Sequence, residues 1–175
     1  MEKVNVRIEG VGQGLLQHRF PDEDNTENKT MRKRKVFPVQ EECEKSLYRD
    51  DKGKVCQPAE HIRGTLINAA KNFIYEGKKS YKEIIKSSVF ISPDFIPHVY
   101  PKWEVDRRRV RIEKASIMRA RPLFKKWALE YEIEYDNEVI SFERLKEIMS
   151  YAGLRVGIGD YRPVFGRFNV TKFKK

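Results

Sequence analysis

Cysteine and histidine are scarce in this 175-residue chain, which limits the chemistry open to it. The two cysteines, Cys43 and Cys56, form no Cys-x-x-Cys motif, and the three histidines are far apart in the sequence. Neither pattern matches the ligand spacing of a zinc site. We therefore predict free thiols in a reducing compartment, and neither a bound metal nor a cofactor.

Long apolar runs are missing as well. No stretch of about 18 apolar residues occurs, so we expect no membrane span and no membrane partner. Residues 1–10 lack the apolar segment of a secretory signal and alternate as a β-strand does, which favours a cytoplasmic location.

Positive charge is what the chain has in excess. With 36 Lys and Arg against 26 Asp and Glu, the formal net charge is +10 and the isoelectric point is near 9.6. Residues 102–126 alone hold ten basic and three acidic side chains, a local excess of seven positive charges. Such a concentration is typical of proteins that bind phosphate-rich partners, and a basic surface that only confers solubility is the alternative.

Hydrophobic periodicity predicts six main elements. Strands are predicted at residues 3–9, 103–113, 127–135 and 167–173, and helices at residues 58–75 and 141–152. The order strand, helix, strand, strand, helix, strand is the split βαβ pattern of an α+β, ferredoxin-like (βαββαβ) sandwich. We therefore predict an antiparallel sheet with two helices on one face and with the other face open to a ligand, as in RNA-recognition modules. The whole chain, 1–175, is predicted to be a single domain with embellishments at about 20–57 and 76–102.

Glycines and arginines near the C-terminus form the first candidate binding site. Gly157, Gly159 and Gly166 are interleaved with Arg162 and Arg167 between the second helix and the last strand. Glycine permits bends and the close approach of a ligand, and arginine presents forked donors that suit phosphate. The loop is therefore a candidate polyanion site, with a plain helix-to-strand connection as the alternative.

The second candidate is the arginine-rich segment in the middle of the chain. Arg107, Arg109 and Arg111 fall on one face of the predicted strand, because side chains alternate along a strand. Three arginines repel one another on a core face, which favours an anion-binding surface over a solvated edge strand. The basic connection predicted to follow, residues 114–122, adds Arg119 and Arg121.

Three further segments contribute basic residues. The loop after the first strand includes His18 and Arg19, and Arg63 lies in the first turns of the first helix, where an N-terminus favours anions. Between them, residues 29–35 hold five basic side chains, which form either a nucleic-acid-binding arm or a solvated loop.

Three segments resemble the RAMP superfamily, the RNA-binding proteins of CRISPR systems, and are most similar to its backbone-subunit type. They are residues 6–20 (VRIEGVGQGLLQHRF), residues 57–66 (QPAEHIRGTL), and residues 157–168, from GIGD to GRF. The resemblance implies a ferredoxin-like core, with single-stranded RNA lying across the glycine-rich loop and the start of the first helix. It also implies a role in antiviral defence and, as partners, other RAMP-type subunits or copies of the same chain.

The sequence departs from that family in two respects. Glu60 and His61 replace the serine pair that is usual before the first-helix leucine, and the chain is shorter than most backbone subunits. The short length puts in doubt the long thumb hairpin or lid through which such subunits polymerise on guide RNA. A stand-alone relative, carried by a phage or a mobile element, is the alternative.

Three functions remain open from the sequence. The first is non-catalytic RNA binding, in which phosphate contacts give affinity without reading sequence, and Tyr161, Phe165 and Phe168 are candidates for stacking on bases or for the core. The second is a metal-independent endoribonuclease of RAMP type, in which His18 or His61 acts on the 2′-hydroxyl or the leaving oxygen. The third is a protein-interaction module or decoy that docks onto a CRISPR-type complex.

Overall fold

The structure, a computed structural model, describes residues 1–19, 38–112 and 115–175. Of residues 111, 112 and 115 it describes the backbone alone. The predicted basic arm, residues 29–35, lies outside the described residues.

The described residues form short and long strands around four α-helices. The strands are β1 (Glu2–Gly10), β2 (Leu15–Leu16), β3 (Cys56–Pro58), β4 (Ile74–Glu76), β5 (Lys79–Ser80), β6 (Val89–Ser92), β7 (Phe95–Pro97), β8 (Glu104–Ile112), β9 (Ala115–Phe124), β10 (Ala128–Tyr135) and β11 (Phe168–Lys174). The helices are α1 (Val39–Lys45), α2 (Ala59–Ala70), α3 (Lys82–Ser88) and α4 (Phe142–Tyr151), and α4 continues into a π-helical segment, Ala152–Val156. None of the helices in these ranges is long and apolar enough to cross a membrane.

A four-stranded antiparallel sheet in the order β11-β1-β10-β6 forms the centre of the fold. Helix α2 lies in the chain between β1 and β6, and α4 lies between β10 and β11. This connectivity, with the first and third strands of the sheet at its centre, is the ferredoxin-like βαββαβ arrangement. The α+β, ferredoxin-like fold predicted from the sequence is therefore confirmed.

One face of this sheet forms the core with α2 and α4. Alternate residues of β1 and β10 point inward, as in the facing pair Val6 and Tyr131. Ile62 of α2 and Leu145 of α4 are completely buried in the same cluster. Burying an aliphatic side chain of this size contributes about 1.5–3 kcal/mol, so the periodic stripes recognised in the sequence are the main source of stability.

The arginine strand predicted at residues 103–113 is a strand, but it lies outside the four-stranded sheet. Its expected place beside β10 is taken by β6, which contributes the buried Val89. Charge explains the difference. Arg107 and Arg109 are exposed on one face of β8, and a helix could cover that face only by desolvating their guanidinium groups.

Strand β8 instead pairs with β9 in a long antiparallel hairpin. The register extends over nine pairs, from Glu104 opposite Leu123 to Ile112 opposite Ala115. Most of the segment predicted to be an irregular basic connection is therefore strand. Strand β2 pairs with the opposite edge of β9, which gives a second sheet in the order β2-β9-β8.

Candidate nucleic-acid interface

The glycine-rich loop, residues 157–167, is held by main-chain hydrogen bonds against the first loop, residues 11–19. The N–H of Asp160 donates to the carbonyl oxygen of Leu16 at 2.9 Å. The N–H of Gly166 donates to a carbonyl oxygen of the first loop at 2.7 Å. Two segments that are separate candidates in the sequence therefore form one surface.

Close packing explains the glycines of this loop. A Cβ on Gly166, whose φ is +75°, would lie 1.7 Å from the carbonyl oxygen of Ile158. A Cβ on Gly159 would lie 2.5 Å from a main-chain oxygen of the first loop. Gly157 has a φ of +71°, and a Cβ on it would lie 3.0 Å from the carbonyl oxygen of Gly166. Thr65 Oγ1 of α2 also donates to the carbonyl oxygen of Gly157 at 2.8 Å. The three glycines are thus required by the packing of the loop itself.

A pocket of about 180 Å³ opens where the glycine-rich loop meets the first loop and the start of α2. It is lined by Gln17, His18, Tyr48, Gln57, His61, Gly159 and Asp160. The two histidines that the sequence offered as alternative catalytic residues therefore face one cavity.

Both histidines of the pocket favour the neutral form. Burial lowers the pKa of His61 below its ordinary value, and the guanidinium of Arg162 lowers that pKa further. Burial likewise lowers the pKa of His18, with an added effect from Arg121 that Asp160 opposes. Each histidine therefore has an arginine close enough to affect its titration.

Arg121 is buried beside this pocket, with 7% of the residue exposed. Its Nε lies 2.8 Å from Asp160 Oδ2, but the N–H is not directed at that oxygen, so the contact is an ion pair without a hydrogen bond. His18 Nδ1 lies 3.7 Å from the same oxygen. Arg121 Nη1 is buried and has no hydrogen-bond partner within the described part of the chain. Such unsatisfied donors are costly, and an anionic ligand would satisfy them.

The β8–β9 hairpin presents arginines on both of its faces. Arg107 and Arg109 are exposed on one face. Arg111 belongs to the same face by strand alternation, but its side chain lies outside the described residues. On the opposite face, Arg119 lies 3.6 Å from Glu42 of α1. The arginine face predicted from the sequence is therefore present on a hairpin rather than on the main sheet.

Beside the ion pair of Arg121 with Asp160, a contact of Arg108 joins this hairpin to the glycine-rich loop. The guanidinium carbon of Arg108 lies 4.5 Å from the centre of the Phe165 ring, a cation–π contact. Tyr161 stands edge-on to the same ring, at 6.2 Å between centroids. Phe165 and Phe168 are buried, whereas Tyr161 is 50% exposed. Of the three aromatic residues considered for stacking, only Tyr161 is accessible to a base.

The remaining predicted arginines separate into two places. Arg162 and Arg167 are exposed on the glycine-rich loop, and Arg19 is exposed on the first loop. Arg167 Nη2 lies 3.0 Å from the position that a Cβ on Gly12 would occupy, so this side chain extends over the first loop. Arg63 lines a different groove, where it donates to a main-chain oxygen of α3 at 2.8 Å.

The open face of the main sheet is not a basic platform. Lys3 lies 2.7 Å from Glu132, and Arg7 forms ion pairs with Glu9 and Glu130. The face is open, as predicted, and Lys3 and Arg7 on it are paired with acidic side chains of β10 and β1, while Lys172 and Lys174 lie on its outer strand, β11. The exposed arginines among the predicted site residues therefore lie at the loops and the hairpin.

Sequence reasoning did not single out several residues of this region. They are Gln17, Tyr48, Gln57, Arg108 and Asp160. Gln17, Gln57 and Asp160 lie within the segments that resemble the RAMP family, so their place in those segments was an available signal. Tyr48 and Arg108 had no signal, because their roles depend on contacts between distant parts of the chain.

No metal-binding cluster is present in the described ranges, where no three His, Cys, Asp or Glu side chains are grouped to hold an ion. Cys43 and Cys56 are buried free thiols, as predicted.

The fold and the site together define a class of protein. It is basic and ferredoxin-like, and it has a histidine-lined pocket where the first loop, the glycine-rich loop and the start of α2 meet.

Comparisons with known proteins support this class at the level of the fold. No protein-family model matches the chain, and no curated protein matches it. Among solved structures, the chain is similar to a chain of the type III-B Cmr-β complex bound to cognate target RNA, determined by cryo-EM, with a TM-score of 0.59 and 15% sequence identity. The similarity covers 98% of this chain and 59% of that chain, which is considerably longer. At 15% identity the similarity is one of fold alone, and it does not distinguish the backbone-subunit type.

Proposed function

We propose that this protein binds single-stranded RNA by its phosphate backbone, on a surface formed by the glycine-rich loop, the first loop and the β8–β9 hairpin. The observation that carries the proposal is the contact between Arg108 and Phe165, because it fixes the hairpin, whose other face carries Arg107 and Arg109, next to the arginines of the glycine-rich loop. The similarity to a chain from an RNA-bound Cmr-β complex supports the same function.

The proposed contacts are to phosphates rather than to base edges. Arg107 and Arg109 on the hairpin and Arg162 and Arg167 on the glycine-rich loop are exposed and offer forked donors to phosphate oxygens. Contacts of this kind position the nucleic acid and give affinity without sequence specificity. In this function the partners are RNA together with other RAMP-type subunits, of backbone type, or further copies of the chain.

The test is a fluorescence-anisotropy titration of a labelled single-stranded RNA at several salt concentrations. Because cations on RNA are released when arginines neutralise phosphates, affinity should fall as salt rises, and removing Arg107 and Arg109 together should reduce the slope of log affinity against log salt by about 0.7 for each lost contact. The matched control removes two exposed lysines from elsewhere on the surface, Lys78 and Lys146, and should retain the slope. Wild-type protein that binds no RNA at low salt would contradict the proposal.

A second function is favoured by one observation, the convergence of His18 and His61 on one pocket. Two imidazoles around a scissile phosphate are the groups that metal-independent RNA cleavage requires. A gel of the RNA after incubation with chelator distinguishes the two functions. Intact RNA supports binding alone, whereas fragments that disappear in the His18→Ala variant support the endoribonuclease.

A further inference from the structure

A chain of hydrogen bonds reaches the pocket through two buried glutamines. The main-chain N–H of Tyr48 donates to Gln17 Oε1 at 3.2 Å. Gln17 Nε2 donates to the carbonyl oxygen of Cys56 at 2.8 Å and to Gln57 Oε1 at 2.9 Å. Gln57 Nε2 in turn contacts Nδ1 of His61.

Main-chain partners fix the direction of this chain of bonds. A main-chain N–H only donates and a carbonyl oxygen only accepts, so the oxygen and nitrogen of the Gln17 amide are assigned. Gln57 must then present its oxygen to Gln17 and its nitrogen to His61. Because an amide nitrogen only donates, His61 Nδ1 accepts, and the single ring proton is on Nε2. His98 Nε2 lies 3.2 Å from Gln17 Nε2, but both N–H groups of that amide already serve Cys56 and Gln57, so this contact adds no third hydrogen bond.

We infer that Gln57 is a positioning residue that fixes His61 as a neutral Nε2–H donor to a phosphate oxygen of the bound RNA. The inference rests on the proposed function and deepens it, because it assigns one phosphate to the pocket and one role to His61. Burial and Arg162 act in the same direction, since both lower the pKa of His61.

Phosphate suits the hydrogen-bonding groups that the pocket leaves to a ligand. The oxygens of Gln17 and Gln57 already accept bonds within the protein. Asp160 uses one oxygen to accept the N–H of Tyr161 at 2.9 Å, and its other oxygen, which accepts no hydrogen bond in the described part of the chain, forms the ion pair with Arg121. Beside the pocket, Arg121 Nη1 is a donor without a partner among the described residues, and it matches the acceptor oxygens of a phosphodiester. The edge of a nucleobase presents donors as well as acceptors and is matched less well.

Nearby charges also favour an anion. The arginines that act on the titratable groups lining the pocket are Arg19, Arg119, Arg121 and Arg162, and the carboxylates are Glu42, Glu60 and Asp160. Four arginines thus act on the pocket against three carboxylates, and a charge-assisted hydrogen bond to phosphate is about twice as strong as a neutral one.

The fixed tautomer also restricts the chemistry of the site. A general base must present an unprotonated nitrogen to the proton that it removes. His61 has its unprotonated nitrogen turned to Gln57 and its protonated nitrogen available. Any cleavage of RNA at this pocket would therefore need a general base other than His61.

The first experiment tests the tautomer without RNA. In long-range ¹H–¹⁵N spectra of histidine-labelled protein at neutral pH, we expect His61 to be protonated on Nε2 alone. Gln57→Glu exchanges the amide donor for a carboxylate acceptor, so it should raise the pKa of His61 and protonate both nitrogens. Gln40→Glu makes the same charge change at an exposed position of α1 and should leave the His61 signals in place. A proton on Nδ1 in the wild-type protein would overturn the inference.

The second experiment tests the donor with labelled single-stranded RNA. His61→Phe removes the N–H, and we expect affinity to fall about tenfold, as for the loss of one hydrogen bond to a charged group. His61→Gln keeps an N–H near the position of Nε2 and should recover most of that affinity. Equal affinities for His61→Phe and wild type would overturn the donor role. If the wild type binds no RNA, the proposed function fails, and the tautomer is judged by the spectra alone.

Discussion

At the scale of single residues, Tyr161 combines backbone strain with an exposed aromatic ring. Its φ is +57°, in the left-handed region, where a residue with a side chain costs about 1–3 kcal/mol. Its N–H donates to Asp160 Oδ1 at 2.9 Å, which holds the residue in this conformation. The strain keeps the ring at the surface beside Arg108 and Phe165, where a base can stack on it.

Tyr161→Ala should weaken the binding of single-stranded RNA by about 1–3 kcal/mol, the value of one base–aromatic stack. Tyr161→Phe should retain the affinity, since the ring and not the hydroxyl makes the contact. Tyr75→Ala is the matched control, because both tyrosines are 50% exposed and Tyr75 lies away from the loop. Anisotropy titrations measure all three variants. A loss of equal size for Tyr75→Ala would show that the effect is not specific to the loop.

His98 is a residue of the interior, and its environment makes stability depend on pH. It is 6% exposed and packs on Phe124, with 4.4 Å between ring centroids. Burial lowers the pKa of His98 from 6.5 to about 4. The unfolded chain therefore takes up this proton at a higher pH than the folded chain does.

Because the pKa of His98 is lower in the folded chain than in the unfolded chain, its contribution to stability should be fully present above pH 6.5 and should be lost as the pH falls to about 4. The loss is about 3 kcal/mol, since one pKa unit corresponds to about 1.4 kcal/mol. His98→Gln cannot titrate, so its free energy of unfolding should fall less than that of the wild type over the same range. Urea denaturation at several pH values measures both. A difference between the two proteins that is constant with pH would argue against this account.

At the scale of elements, two glycines in the glycine-rich loop and in α2 have opposite surroundings. A Cβ on Gly166 would overlap the carbonyl oxygen of Ile158, whereas a Cβ on Gly64 would meet no described atom within 4 Å. Packing of the loop therefore requires glycine at position 166. Gly64 lies in the interior of α2, where no described neighbour requires glycine.

Gly166→Ala should therefore destabilise the protein by about 3 kcal/mol or more, through both overlap and the positive φ. Gly64→Ala should stabilise it by about 1 kcal/mol, because alanine has the higher helix propensity. Denaturant unfolding of the two variants beside the wild type measures both changes. Destabilisation by Gly64→Ala would mean that this face of α2 packs against residues outside those described.

Elements with strong periodicity could be predicted from the sequence, whereas their pairing could not. The alternation in β1 and β10 and the apolar stripes of α2 and α4 are local patterns, and the structure has all four elements. The strand containing Arg107 was found but was assigned to the wrong sheet, because alternation does not specify a partner. Strand β6 has only four residues, too few for a reliable period.

At the scale of the whole molecule, residues from four distant segments form the pocket and its surroundings. His18, His61, Arg121 and Gly159 were each candidates from composition and motif. Their convergence was not predictable, because a single sequence contains no information on tertiary distance. The same limit applies to Gln17 and the bonds through which it acts, since neighbours of a buried amide are visible only in three dimensions.

The edge of the hairpin has a consequence for how copies of the molecule meet. Strand β8 is the outer strand of its sheet in the described part of the chain, so it presents unpaired main-chain groups along that edge. Edges of this kind join to identical edges unless something prevents it, and the exposed charges of Arg107 and Arg109 repel a second copy. A polyanion lying on them cancels that repulsion. Without nucleic acid, the charges of the two arginines would keep the chains apart. Bound nucleic acid would neutralise those charges and permit two chains to align edge to edge.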